Sequence, residues 1–227
     1  MMRRRAFSRV TKLLAVVVTG AGCADQQSGS AATTPTTALP VTADRCVVRL
    51  HGKGGDGAAS EMVGGVASVR PRGNADGWGK RQWLYFPDDR YDEARAVVAK
   101  ALDDVGCTKA VIDGFSNGAS FAAKLFCRGE TFDGRVVGYV IDDPVTDNAV
   151  LNCASAGGVQ AALYWTGALA GDAPAGKDCA AMDWTCEGGA SIGIDAYASA
   201  LGLTVTPSPF TDHQPYEDAP EVAAWLA

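Results

Sequence analysis

The chain has 227 residues, 47% of them hydrophobic, and a formal net charge of −6. That hydrophobic content excludes a disordered chain. Five of the 20 basic residues and none of the 26 acidic ones lie in residues 1–22, so the remainder carries −11, which excludes a nucleic-acid binder built on clustered cations.

In chain order, residues 1–22 open with Arg3, Arg4, Arg5, Arg9 and Lys12, continue through an apolar run at 13–18 and end on Thr19-Gly20-Ala21-Gly22. A basic start, a short apolar stretch and small residues before a cleavage point predict a signal peptide. The apolar run is too short to span a bilayer. Cys23 follows, and the junction resembles a bacterial lipobox, in which that cysteine is lipidated and becomes the first mature residue. Secretion with cleavage nearby is the alternative, and both predict export. In residues 24–43, 17 of 20 are Ala, Gly, Ser, Thr, Pro or Gln, so 23–43 reads as a lipidated cysteine and a flexible linker. One domain is expected over 44–227.

Residues 45–50 (RCVVRL) read as a buried strand ending at His51-Gly52, and the Gly-rich residues 52–79 as a long loop. Residues 81–86 (RQWLYF) are a second strand candidate, stopped by Pro87. Apolar residues at helical spacing predict an amphipathic helix over 90–105, ended by Gly106. A third strand is expected at 109–113 (KAVID), a helix at 117–128, a fourth strand at 136–142 (VVGYVID) and a fifth at 159–165 (VQAALYW). A helix over 191–201, a sixth strand at 203–206 and a terminal helix over 217–226 complete the series. Strands alternating with helices predict an α/β fold with a mostly parallel sheet and helices on both faces. Ligands then bind beyond the carboxyl ends of the strands.

Six cysteines follow Cys23: Cys46, Cys107, Cys127, Cys153, Cys179 and Cys186. An even number in an exported chain predicts three disulfides. With two histidines and no C-x-x-C, a zinc site is not expected, and no metal or organic cofactor is implied.

Gly114-Phe115-Ser116-Asn117-Gly118 fits G-x-S-x-G, and so does Gly189-Ala190-Ser191-Ile192-Gly193. Ser116 follows an apolar strand and precedes a helix, as a nucleophile elbow requires. Ser191 follows no strand and reads as a helix cap. His213, between the last strand and the terminal helix, is the candidate general base, completing the order Ser, acid, His. His51-Gly52-Lys53-Gly54-Gly55 follows the first strand, where backbone N–H groups near Lys53 and Gly54 can face a developing oxyanion. The N–H of Asn117, after the nucleophile, is the second expected donor. His51 itself reads as a structural hydrogen-bonding residue. Trp83 and Trp165, on predicted strands, read as core, and Trp78 as part of a substrate rim.

Strand–HGKGG, strand–GFSNG–helix and a late loop histidine together resemble the α/β-hydrolase superfamily over nearly all of 44–227. The chain begins at what would usually be that fold's third strand. Its small size and several disulfides are similar to cutinase-like esterases and lipases. Ile141-Asp142-Asp143-Pro144-Val145 and Trp165-Thr166-Gly167-Ala168-Leu169 also resemble the chlorophyllase group, where an Asp-Pro-Val after the strand following the elbow carries the acid. That resemblance favours Asp143. Asp172, after the next strand, stands in the superfamily's more usual position, and Asp142 is a close rival. The superfamily's sheet order makes the strands at 45–50 and 109–113 neighbours, which implies a Cys46–Cys107 bridge. Cys127–Cys153 and Cys179–Cys186 then follow by proximity along the chain.

The resemblance implies an exported serine esterase or lipase-like hydrolase, acting on a small-molecule or lipid ester as a monomer and held to a membrane through Cys23. A peptidase or acyltransferase on the same triad, or a non-catalytic binding lipoprotein, are the alternatives.

Overall fold

The computed structural model describes residues 42–155, 157–168 and 174–227. The expected signal peptide, Cys23, nearly all of the linker and Asp172 lie outside the described residues. In chain order the strands are β1 (Arg45–Leu50), β2 (Ala58–Val63), β3 (Val66–Arg70), β4 (Ala75–Gly77), β5 (Lys80–Gln82), β6 (Lys109–Phe115), β7 (Val136–Asp142), β8 (Gln160–Trp165) and β9 (Val205–Pro207). The helices are α1 (Asp88–Val105), α2 (Asn117–Cys127), α3 (Ile194–Leu201) and α4 (Pro220–Leu226).

Seven strands form one sheet in the order β2-β3-β1-β6-β7-β8-β9, parallel except for β2, which runs antiparallel to β3. This is the expected α/β architecture of a mostly parallel sheet with helices on both faces. β1 and β6 are in direct register, Arg45 opposite Lys109 and Leu50 opposite Gly114. Their carboxyl ends therefore present the His51–Gly52 turn and the Ser116 turn side by side. Because the two strands start level, Cys46 and Cys107 pair, with Cα atoms 5.9 Å apart. Cys127 pairs with Cys153 and Cys179 with Cys186.

The side-chain period of two gives the sheet two unlike faces. Cys46, Val48, Leu50, Ala110, Ile112, Tyr139 and Ile141 meet α1, α2 and α3 in the main core. The opposite face carries Val111, Val140 and Tyr164 under α4, through Leu226 and Trp225. Toward the carboxyl ends the same alternation places Arg49, Arg70, Asp113 and Asp142 on this α4 face. It is apolar at its base and charged beside the site.

Two expectations need correction. Residues 52–79 are not one loop, because they contain β2, β3 and β4. Val66–Arg70 buries its three central residues against β1, but Ala58–Val63 is an exposed edge strand whose composition carries no strand signal. Residues 81–86 do not join the main sheet. Only the short β5 forms, against β4. Beyond it the backbone of Trp83 is paired by the Asn117 side chain, which accepts from its N–H at 2.7 Å and donates to its carbonyl at 3.0 Å. Asn74 does the same for Leu84, at 2.9 Å each way. Two amides thus replace a strand ladder, and the apolar alternation buries Trp83 and Tyr85 without a sheet partner. The sixth strand lies at Val205–Pro207, two residues later than its expected start.

Candidate active site

β6 ends at Phe115, and Ser116 turns the chain into α2 with φ 54° and ψ −121°, a conformation L side chains disfavour. The flanking glycines answer to close approach. A Cβ on Gly114 would overlap the carbonyl of Gly118, and one on Gly118 would overlap that of Leu50. The turn therefore packs directly on the end of β1, and Ser116 stands above the α2 N-terminus, whose partial positive charge favours developing negative charge.

His213 sits in the loop between β9 and α4. Its Nε2 lies 3.0 Å from Ser116 Oγ and its Nδ1 2.5 Å from Asp143 Oδ2. A carboxylate only accepts, so Nδ1–H donates to Asp143, and Nε2 is left to accept from the serine hydroxyl. The Phe115 ring packs against the imidazole, centroids 4.5 Å apart. Asp143 is wholly buried and sits at φ 51°, its N–H donating to the Tyr164 carbonyl at 3.0 Å. Thr166 donates to its carboxylate through N–H at 3.2 Å and hydroxyl at 2.8 Å. Thr166 was not singled out as a site residue from the sequence, although it lies within the Trp165-Thr166-Gly167-Ala168-Leu169 stretch already noted.

The adjacent acid does something else. Asp142 Oδ2 accepts from the Tyr216 N–H at 2.7 Å, and burial raises its carboxyl to about 6. The two neighbouring aspartates thus hold the histidine loop at two points, and of the pair Asp143 is the one in contact with His213.

Lys53 and Asn117 line the cavity at Ser116, and no backbone acceptor among the described residues takes either N–H. The expected donor at Gly54 is corrected. Its N–H donates to the Arg81 carbonyl at 2.8 Å, because the turn after β1 is tied to β5. His51 behaves as read. Nδ1–H donates to the Gly52 carbonyl at 2.7 Å, Nε2 accepts from the Gly73 N–H at 3.0 Å, and burial lowers its pKa, so it stays neutral. Ser191 lies away from these groups, just ahead of α3. Its hydroxyl is 2.8 Å from that of Thr146 and accepts from the Gly193 N–H at 3.1 Å.

The cavity at Ser116 measures about 290 Å³, with Trp78, Val145, Trp184 and Thr185 among its walls. Its rim is bridged. Trp78 Nε1 donates to Asp183 Oδ2 at 2.5 Å, and Lys53 Nζ to the Asp183 carbonyl at 2.8 Å, with the ammonium 4.5 Å from the centre of the Trp78 ring. Asp183 and Trp184 lie inside the loop closed by Cys179–Cys186. Trp78 is exposed and Trp83 buried, as expected, whereas Trp165 is only half-buried.

No protein-family model matches the chain, and no curated protein matches it. Among solved structures it is similar to a Bacillus cereus carboxylesterase, at 19% identity over 82% of this chain and 87% of that one, TM-score 0.44. A Pyrococcus furiosus esterase is 18% identical over 46% of this chain and 44% of that one, TM-score 0.33. An Agrobacterium tumefaciens protein of unknown function is 13% identical over 82% of this chain and 92% of that one, TM-score 0.48. Likeness at these TM-scores carries no argument about this chain, and the chemistry is read from the site itself.

Proposed function

We propose that this chain is an exported serine hydrolase that cleaves carboxylic esters through an acyl-enzyme intermediate. The observation that carries the reading is the continuous chain of contacts Ser116 Oγ–His213 Nε2, 3.0 Å, and His213 Nδ1–Asp143 Oδ2, 2.5 Å, at a strand–helix turn strained to φ 54°. Ser116 attacks the acyl carbonyl as His213 Nε2 takes the hydroxyl proton. The carbonyl oxygen becomes an oxyanion facing the N–H groups of Lys53 and Asn117 at the α2 N-terminus. The imidazolium, held by Asp143, protonates the leaving alcohol. Water then enters, gives its proton to His213, and releases the acid and free Ser116. The basic and apolar leader and the three disulfides support an exported setting, and Cys23 as a lipid anchor belongs to the same reading.

A fluorophosphonate probe tests for an activated serine without knowledge of the substrate. The full chain is expected to label at Ser116 and to hydrolyse p-nitrophenyl butyrate. Ser116→Ala should lose labelling and about 10⁴-fold or more in rate with its circular dichroism unchanged. Labelling at Ser191 that persists in Ser116→Ala would reject the assignment.

A further inference from the structure

His213 reaches Ser116 from a long loop. The loop runs from 208 to 219, and among the described residues none of 209–218 takes part in a backbone–backbone hydrogen bond. A segment with so little backbone pairing samples many conformations unless side chains from elsewhere fix it. Asp143 meets the imidazole itself, and Asp142 accepts from the Tyr216 N–H. The Tyr216 ring stands edge-on to Tyr164 and Phe210.

A third hold comes from strands that carry no triad residue. Arg49 and Arg70 follow the register partners Val48 and Val69, so two guanidinium groups leave the ends of β1 and β3 together. Arg49 lies opposite Asp113 of β6 and donates to its carboxylate at 2.5 Å. It also donates to the Glu217 carbonyl at 2.8 Å. Arg70 grips both oxygens of the Glu217 carboxylate, at 2.8 and 2.7 Å. Neighbouring cations repel, and Glu217 supplies the second of the two carboxylates that balance them. The hydrogen bonds from Arg70 hold the Glu217 carboxyl below its usual range, which keeps the pair ionised at neutral pH. The planar fork meets the carboxylate in one orientation, so the contact fixes direction as well as distance. Glu217 is four residues beyond His213, a span of at most about 13 Å, so a hold at Glu217 limits where the imidazole can go.

We infer that Arg70 and Glu217, with Arg49 beside them, are positioning residues for the general base: they clamp its loop to the ends of β1 and β3 and keep His213 over Ser116. The inference rests on the serine-esterase reading. None of the three lines the cavity at Ser116, so they act through the loop and not on the ester. Proton transfer from Ser116 Oγ to Nε2 depends on the 3.0 Å contact between them, and a small displacement of the imidazole slows it. The walls of the acyl cavity stay in place, so loss of the clamp falls on kcat.

The test uses the full chain and p-nitrophenyl butyrate. Arg70→Ala and Glu217→Gln should each lower kcat about tenfold and leave KM within about twofold. The double variant should lose no more than either alone, since both remove one contact. Arg70→Lys keeps the charge without the fork and should fall between the parent and Arg70→Ala. Arg72→Ala breaks an exposed pair with Asp56 and should stay within about twofold of the parent. A half-exposed ion pair adds little to global stability, so circular dichroism should be unchanged, above all in the isosteric Glu217→Gln. In that variant the low-field proton resonance of the His213 Nδ1–H held by Asp143 should broaden. Parent turnover with Glu217→Gln within twofold in kcat, a loss confined to KM, or fully additive losses in the double variant overturns the clamp alone. No turnover by the parent overturns the esterase reading and the clamp with it.

Discussion

Ser116 and Asp143 both adopt left-handed backbone, at φ 54° and 51°, and both are held there by packing. At Ser116 the restraint is the contact of Gly118 with Leu50, so Gly118→Ala forces β1 and α2 apart. Overpacking a close contact costs about 3 kcal/mol at the upper end of the usual range, and Gly118→Ala should show a fall of this order in urea titration. Asp143→Asn keeps the shape but turns the carboxamide NH₂ or the wrong imidazole tautomer toward the contact. In serine proteases the equivalent change costs about 10⁴ in rate, and the same loss is expected here on p-nitrophenyl butyrate. Asp142→Asn keeps an oxygen to accept from the Tyr216 N–H and should stay within about tenfold of the parent. Equal losses from the two changes would take the acid role away from Asp143. Local signals could not separate these two aspartates, since adjacent residues share them, and only the Asp-Pro-Val resemblance favoured Asp143. Alternation at the end of β7 turns Asp142 to one side, and the left-handed turn after it sends Asp143 to the other.

The disulfides act at the level of elements, each in its own way. Cys46–Cys107 closes 61 residues and ties the starts of β1 and β6, the two strands whose far ends form the site. Its removal by paired alanine substitution should lower stability by about 4 kcal/mol, most of it through the unfolded chain, with kcat little changed. Cys179–Cys186 closes 7 residues and ties down the segment carrying Asp183 and Trp184. Its removal should cost about 2 kcal/mol and raise KM more than it lowers kcat, because the rim loosens while Ser116 and His213 stay in place. A drop in kcat with KM unchanged would show that this loop supports the catalytic groups themselves. Cys46–Cys107 was legible once the strand order was assumed, and Cys179–Cys186 from proximity along the chain. The rim contacts were not, because Trp78 and Asp183 are more than a hundred residues apart and no local pattern links them.

Across the molecule, burial raises three carboxyl groups, Asp113 to about 7 and Asp142 and Asp147 to about 6. Each binds its proton more tightly folded than unfolded, where a carboxyl titrates near about 4. Their contribution to stability is therefore complete below about pH 4 and is lost as pH rises through 6 to 7. The urea midpoint is expected to be higher at pH 5 than at pH 8, and Asp147→Asn should shrink the difference. A midpoint that climbs steadily from pH 5 to pH 8 would contradict the assigned directions. These acids, like the Arg49–Asp113 and Arg70–Glu217 pairs, carry no local signal in the sequence, because the partners in those pairs lie 64 and 147 residues apart. By itself the sequence determined the α/β order, the two long helices, the Ser116 turn and His213, because periodicity, glycine spacing and chain order are local properties. Tertiary structure alone decided that residues 52–79 add two strands to the sheet, that 81–86 pairs with asparagine side chains, and that Gly54 donates to Arg81. Each of those depends on which distant backbone or side-chain group meets a given hydrogen-bond donor or acceptor, and only the closed sheet brings such partners together.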